Sequence, residues 1–498
     1  MRRLLLTVLV LAALLLAGCT ADPAPPRPTE DAARFATSRA TAVVDAPGAP
    51  DRAVAASRAL FASSPGVVLA PATDGAAQRR AAAEAERLHV PMLLVPGGAG
   101  TGSSAAPRPS ASSSDPAAAV LREVRRLGAT WAAGFGARLP GIAARRAGAV
   151  PPLPASTGSM LAIATRASAD TAALASARAA GARVVPASSS DLNADAKVVA
   201  ALADAEDARA VLVGSAFGAR DDLAWSVTAA RSGWTYADGT QRAWGGSSLH
   251  IALYGTPGDP VLGALGQQGG PATISRVRAL AAQYAPLTRR TVSPMLEVIA
   301  TVASGGPTGN GDYSGEIDPE RLEPFVDASL AAHVPVILDL QPGRSDFLTQ
   351  AKEYASLLEK PGVGLALDPE WRLGPKQKPL VQIGRVSAAE VNRTSAWLAD
   401  LVEAKGLPPK PFVLHEFRLT MLQDRQRIVV DRPQLDTLIH VDGQGSQPDK
   451  QATWRAVRAG APKVGWGWKN FLRTDHPVLT PAQTIQQVHP TPDLITYQ

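Results

Sequence analysis

From about residue 38 the chain alternates short runs of Val, Leu, Ile and Ala with longer Ala-rich segments whose apolar residues return every three or four positions. The short runs predict buried strands at 67–69, 91–95, 130–136, 160–165, 182–185 and 210–214. The longer period predicts helices at 78–88, 116–127, 170–180 and 195–205. Strands that alternate with helices imply βαβ units on a parallel sheet, so 38–246 is expected to be a Rossmann-like α/β domain. Between them, residues 97–115 are rich in Gly, Ser and Pro and predict a mobile loop.

The character changes near residue 247, where Ala becomes rarer and Trp, Pro, His and Gln more frequent. Strand patterns fall at 249–254, 295–301, 334–340, 363–368, 412–416, 435–441, 463–468 and 494–497, with helical patterns at 273–284, 319–332, 345–358, 388–405 and 449–459. Eight strands in about 250 residues is the arithmetic of a (β/α)8, or TIM, barrel over 247–498. The last strand has no helix after it, which leaves room for an irregular or incompletely closed barrel. The fourth run is the most informative. Gly364, Ala366 and Asp368 share one face of a strand, and Glu370 continues that face if the backbone stays extended. Pro369 cannot donate to a ladder, so regular pairing should stop there.

Polar groups accumulate at the predicted C-terminal strand ends, where a barrel of this type places its chemistry. They are Tyr254, Glu297, Asp339 with Gln341, Asp368 with Glu370 and Trp371, His415 with Glu416, His440 with Asp442, and Trp466, Trp468 and Lys469, the histidines suiting satisfied barrel positions as well as ligands. Carboxylates beside aromatic rings suit a carbohydrate: the ring faces stack on sugars while the carboxylates handle hydroxyls and the glycosidic oxygen. Glu370 is the expected general acid, with Asp368 or Asp339 as base or nucleophile; the other residues are expected to bind substrate. The same residues have plainer readings. Asp339 and Asp442 suit turn or helix caps, the tryptophans suit a core, and Glu416 beside Arg418 suits an ion pair. No metal site is expected, since neither an HExxH motif nor a Cys cluster is present. Gly214-Ser215-Ala216-Phe217-Gly218 lacks the spacing of a dinucleotide fingerprint, so no cofactor is expected, and no Gly-x-Ser-x-Gly elbow is present.

At the N-terminus, Arg2 and Arg3 precede an apolar run over 4–17 that is short for a bilayer span. Leu16-Ala17-Gly18-Cys19 closes it and resembles the lipobox of bacterial lipoproteins. That resemblance implies that Cys19 is acylated, becomes the first mature residue and holds the protein in a lipid bilayer. Cys19 is the only cysteine in the chain, so no internal disulfide can form. Residues 1–19 thus read as leader and lipobox, and 20–37 as a Pro-rich tether. Over 498 residues, 46% are hydrophobic and 19% charged, enough for two cores, and the net charge is +6. The basic residues are scattered Arg on Ala-rich segments rather than a stripe interleaved with aromatics, so nucleic acid is not an expected partner.

The stretches Arg52–Ser57, Gly66–Ala70, Ala82–Val95 and Leu121–Thr130 resemble one cell wall-binding repeat of type 2, over about 38–136, with a looser second copy at about 158–235. The repeat is a small α/β unit of Gram-positive envelope proteins, so the resemblance implies an anionic wall polymer or cell-wall glycan as partner. Asp74 is only a rough counterpart of that family's Asp after the second strand. The Asp-x-Glu of Asp368 and Glu370 is similar to the strand-four motif of chitinase-like glycosidases, D-x-x-D-x-D-x-E. Val363 and Ala366 replace its earlier acids, which removes that family's charge relay. Lipobox, repeat-like domain and barrel together resemble lipoproteins of actinobacteria, in keeping with the Ala, Arg, Gly and Pro bias of a GC-rich genome. Two functions follow: a glycan-active enzyme of the envelope, or a non-catalytic wall-binding lipoprotein with a degenerate barrel.

Overall fold

The computed structural model describes residues 32–96, 116–149, 159–165 and 170–498. The lipobox with Cys19, the tether as far as residue 31 and the loop at 97–115 lie outside the described residues. The chain is mixed α/β, with a closed all-parallel barrel in its C-terminal half. Among the described residues no helix is long and apolar enough to cross a membrane.

Among the described residues the N-terminal half holds two four-stranded parallel sheets. The first runs in the order Met92–Val95, Gly66–Pro71, Trp131–Gly134 and Ala143–Arg145. The second runs Ala42–Val44, Arg209–Val213, Met160–Ala164 and Arg183–Pro186. The strand that precedes the first unit in sequence therefore pairs in the second sheet, which interlocks the two. Helix Gly75–Leu88 starts where the Asp74 side chain accepts from the backbone N–H groups of Ala76 and Ala77. Capping explains that aspartate without any ligand.

The barrel strands are β1 (Ser248–Gly255), β2 (Thr291–Ala303), β3 (Val336–Leu340), β4 (Val363–Leu367), β5 (Lys410–His415), β6 (Leu435–Val441), β7 (Gly465–Asn470) and β8 (Leu494–Tyr497). Each pairs in parallel with the next, and β8 pairs in parallel with β1 from His250–Leu494 to Leu253–Tyr497. The ring is therefore a closed eight-stranded barrel, as the strand count predicts, and the room left for an incomplete closure at the last strand is not used. Closure depends on a pairing between residues more than 240 positions apart, and no local pattern reports it. A short helix, Pro481–Gln487, delivers the chain to β8 through a capping box between Thr480 and Gln483.

Strand alternation sorts the barrel side chains into two sets. Leu365, Leu367, Phe412, Leu414, Ile439, Trp468 and Ile495 point outward into the core between strands and helices. Ala252, Met295, Ile337, Ala366, Val413, Leu438 and Leu494 fill the interior, together with Tyr236 and Trp244 from the segment before the barrel. That segment closes the N-terminal end of the barrel. Arg242 Nε pairs with Asp191 at 2.9 Å and its Nη1 with Asp436 at 2.8 Å, and Trp244 Nε1 donates to the Asp436 carbonyl. Trp225 Nε1 donates to the Leu407 carbonyl from the last helix of the N-terminal half. The opposite end, where the strands finish, is open.

Candidate active site

β4 ends as its composition dictates. Val363, Leu365 and Leu367 face the outer core, leaving Gly364, Ala366 and Asp368 on the interior face. A side chain on Gly364 would meet Pro411 at 2.7 Å, so the close approach of β5 requires glycine there. The backbone does not stay extended past Asp368. Residues Pro369–Trp371 form a 3₁₀ turn, and Asp368 Oδ1 caps it by accepting from Glu370 N at 3.2 Å. Glu370 reaches the site from a turn, not along the strand, which corrects the same-face expectation.

A cavity of about 350 Å³ opens at this end of the barrel. Asp368, Glu370 and Asp442 line it with Lys469, Gln341 and Tyr254, and Trp371, Phe417 and Phe471 add aromatic wall. Seven of the expected residues thus converge on one concavity. Asp339, Glu297 and His440 are wholly buried and do not line it; with His415, they sit behind the lining residues.

His415 organises this hidden layer. Its Nδ1 lies 2.9 Å from Asp442 Oδ2 and its Nε2 lies 2.8 Å from Glu297 Oε1, with Asp339 Oδ1 3.9 Å away. Burial opposes a charge on the ring, but Glu297 and Asp442 on either side raise its pKa well above the usual imidazole range. With a carboxylate facing each nitrogen, the ring is a doubly protonated cation that donates to both. Burial likewise opposes ionised Glu297, yet His440 and His415 hold that carboxyl well below its ordinary value. His415 is the one that carries the charge at neutral pH, because burial lowers the His440 pKa. His440 makes no hydrogen bond at either nitrogen, and its Nδ1 lies 3.6 Å from Glu297. It fits because β7 presents Gly467, where an added Cβ would come within 2.5 Å of the ring.

The carboxyls of the site separate into two classes. Burial pushes Glu370 up to about 7, and the charge of Asp442 adds to the shift. Burial raises Asp368 well above its ordinary value against the attraction of His415, with Asp339, Glu370 and Asp442 repelling its ionised form. Asp339 is pushed up to about 6, chiefly by burial, and accepts from Tyr254 OH at 2.6 Å. Asp442 goes the other way: burial would raise it, but His415 outweighs burial and holds it below its ordinary value. The cavity wall therefore presents two carboxyls with raised pKa, Glu370 and Asp368, beside Asp442, which is held ionised and whose Oδ1 has no hydrogen-bond partner. Lys469 lies 3.3 Å from the Tyr254 ring centroid, a cation–π contact that fixes both side chains. Buried Lys450 supports the rim by donating to the carbonyls of Gly443 and Lys469 and pairing with Asp475 at 3.0 Å.

Three expected binding residues lie elsewhere. Trp466 and Trp468 point outward, packing on Trp454 at ring-centroid distances of 6.0 and 5.7 Å. Gly465, Gly467 and Lys469 take the interior positions of β7. Glu416 points away from His415 and forms a buried ion pair with Arg425 Nη1 at 2.7 Å, rather than with Arg418. Sequence reasoning missed Phe417, Phe471, Gln444 and Gln498, all of them one to three residues past a strand end. Asp368, His415 and Asp442 offer atoms within 4.8 Å of one another, as do Glu297, His415 and His440. Both ring nitrogens of His415 are already committed to carboxylates, so a metal in either cluster would have to break one of those bonds.

No protein-family model matches the chain, and no curated protein matches its sequence.

Proposed function

We propose that the chain is a lipid-anchored protein of the bacterial envelope whose barrel hydrolyses a glycan. The observation that carries this reading is the pair Glu370 and Asp442 in one aromatic-walled cavity, one carboxyl protonated near neutral pH and its neighbour ionised. Glycosidic cleavage needs that asymmetry. Glu370 gives its proton to the glycosidic oxygen as the C–O bond breaks, Asp442 stabilises the positive charge that develops on the sugar ring, and water then adds to the anomeric carbon and returns a proton to the Glu370 carboxylate. His415 keeps Asp442 ionised and fixed, a positioning role. Asp368, protonated and tied to the backbone of Glu370, holds the acid in place and is a weaker candidate for nucleophile than the sequence alone suggested. Trp371 offers a surface for a sugar. Anchoring rests on Arg2, Arg3, the apolar run and Cys19, and wall attachment rests on the repeat-like pattern of the N-terminal half.

The test is turnover of wall polysaccharide and aryl glycosides by the full chain, beside Glu370→Gln and Asp442→Asn. Each substitution should lower turnover by about 10²-fold or more, the usual worth of a general acid or of a preorganised charge. Turnover indifferent to both would rule the assignment out. Binding without turnover, lost on Trp371→Ala, would favour a wall-binding protein. Labelling with a palmitate analogue should mark the wild type and spare Cys19→Ser; equal labelling would remove the anchor.

A further inference from the structure

A free sugar meets its site through hydroxyls and through stacking on aromatic faces, and has no use for exposed aliphatic side chains around the mouth. The lip of this cavity is different. Among the described residues seven large apolar side chains are exposed; three of them line this one opening, and two more follow lining residues closely in sequence. Val261 is 76% exposed and Leu380 83% exposed, and both line the cavity, as does Leu472. Val381 follows Leu380, and Leu419 lies two residues from Phe417 of the cavity wall. These residues come from the loops after β1, β4, β5 and β7, so the apolar character surrounds the opening and does not belong to one segment.

Leu380 makes the case sharper. Its backbone sits at φ 64°, a left-handed conformation costly for a bulky side chain and easy for Gly, Asn or Asp. Backbone strain and exposure to water both argue against leucine at this position in the free protein. A tail packed on the lip would bury it. The floor, in contrast, is polar, with Asp368, Glu370, Asp442 and Lys469.

We propose that the ligand of this cavity is an amphiphile, with a hydroxyl-rich head on the carboxylate floor and an alkyl or isoprenoid tail along the lip formed by Val261, Leu380 and Leu472. The chemistry of the head rests on the glycan reading above; the tail rests on the lip alone. A substrate of this class is a glycolipid, or a sugar on a lipid carrier.

The test uses the full chain carrying Cys19→Ser, titrated by calorimetry with methyl, butyl, hexyl and octyl glucosides below their micelle-forming concentrations. Affinity should rise by about two- to fourfold for each methylene that leaves water. Leu380→Asp with Leu472→Asp should flatten that slope, and Asp is compatible with the backbone at 380. A flat slope in the unsubstituted protein would overturn the proposal. The same tails on a phosphocholine head separate the two readings: a slope with phosphocholines and no binding of any glucoside keeps the tail site and removes the glycan head. Tighter binding to dodecyl glucoside in phosphatidylcholine vesicles than to the dispersed glycoside identifies a bilayer as the source of the amphiphile, and the reverse order identifies a free one. Sedimentation of the same protein supplies the remaining control. A dimer dissociated by Leu380→Asp would show that a second copy covers the lip, and that would overturn the amphiphile.

Discussion

Replacing His415 with glutamine tests the electrostatic core of the site. The side chain is fully buried and its two nitrogens face Asp442 and Glu297 at 2.9 and 2.8 Å. Glutamine keeps about the same size and one donor but removes the charge. Removing one partner of a buried ion pair costs about 3–5 kcal/mol, because the remaining charge is left desolvated. At roughly 2–4 °C per kcal/mol for a domain of this size, the barrel should melt roughly 6–20 °C lower. The pH dependence gives a second signature. The folded His415 pKa is raised above its ordinary 6.5, so its contribution is complete below that value and is lost as pH rises through the raised one. The Glu297 and Asp442 pKa values are depressed, so their contributions are present above the ordinary carboxylate range and are lost as pH falls through the depressed values. The gap between wild type and His415→Gln should therefore be wide at pH 5–7 and shrink progressively as pH falls below the ordinary carboxylate range of about 4 toward the depressed values at which the folded carboxylates take up protons. Scanning calorimetry of both proteins across that range measures it. A loss under about 2 °C, unchanged between pH 7 and pH 4, would refute the bridged-cation picture.

Other expectations follow from the same contacts. Trp468→Ala should cost about 3–5 kcal/mol of stability, since that ring is buried in the outer core, and leave ligand affinity alone, whereas Trp371→Ala should do the reverse; paired melting and binding curves check both. Arg425→Met strands Glu416 and should destabilise by about 3 kcal/mol or more, with Glu416→Gln restoring much of it in the double variant, as denaturation midpoints would show. A fragment beginning at residue 232 should melt several degrees higher than one beginning at 247, because Trp234, Tyr236, Arg242 and Trp244 close the floor of the barrel. Turnover should fall as pH rises through about 7, where Glu370 loses the proton it must donate, and a flat profile from pH 6 to 8 would exclude it as the acid.

The sequence carried the interior face of β4, and it did so through parity alone: Gly364 and Ala366 are small because the barrel wall is crowded, and Asp368 shares their side. His440 and Asp442 obey the same rule on β6. Parity also held information that was not used. Lys469 faces inward, so Gly465 and Gly467 must as well, and Trp466 and Trp468 must face outward; one strand cannot bring Lys469 and both tryptophans to the same cavity. Glu416 follows inward-facing His415 and had to face away for the same reason. Other features were beyond any local reading. The bridge from Glu297 through His415 to Asp442 spans 145 residues of sequence, and its pKa pattern comes from shared burial. The 3₁₀ turn that redirects Glu370 depends on an Asp cap that looks the same as an Asp continuing a strand. The apolar lip lies in loops, where composition carries no period.

The closing strand sets an order of events. β8 contributes Thr496, whose hydroxyl donates to Glu297 at 3.3 Å, and its pairing with β1 seals the ring. A chain emerging from the ribosome, or threading through a translocation pore N-terminus first, has made every acid of the site well before residue 494. Until then the wall of the barrel has a gap, water reaches the carboxyls, and the burial that sets their protonation has not happened. The two halves differ in this respect, because the N-terminal sheets contain all their strands by Val213 and can form while the barrel is still being made. The protonation pattern of the site is thus set only once the whole barrel has been delivered, and an interrupted chain would be left with the N-terminal unit alone.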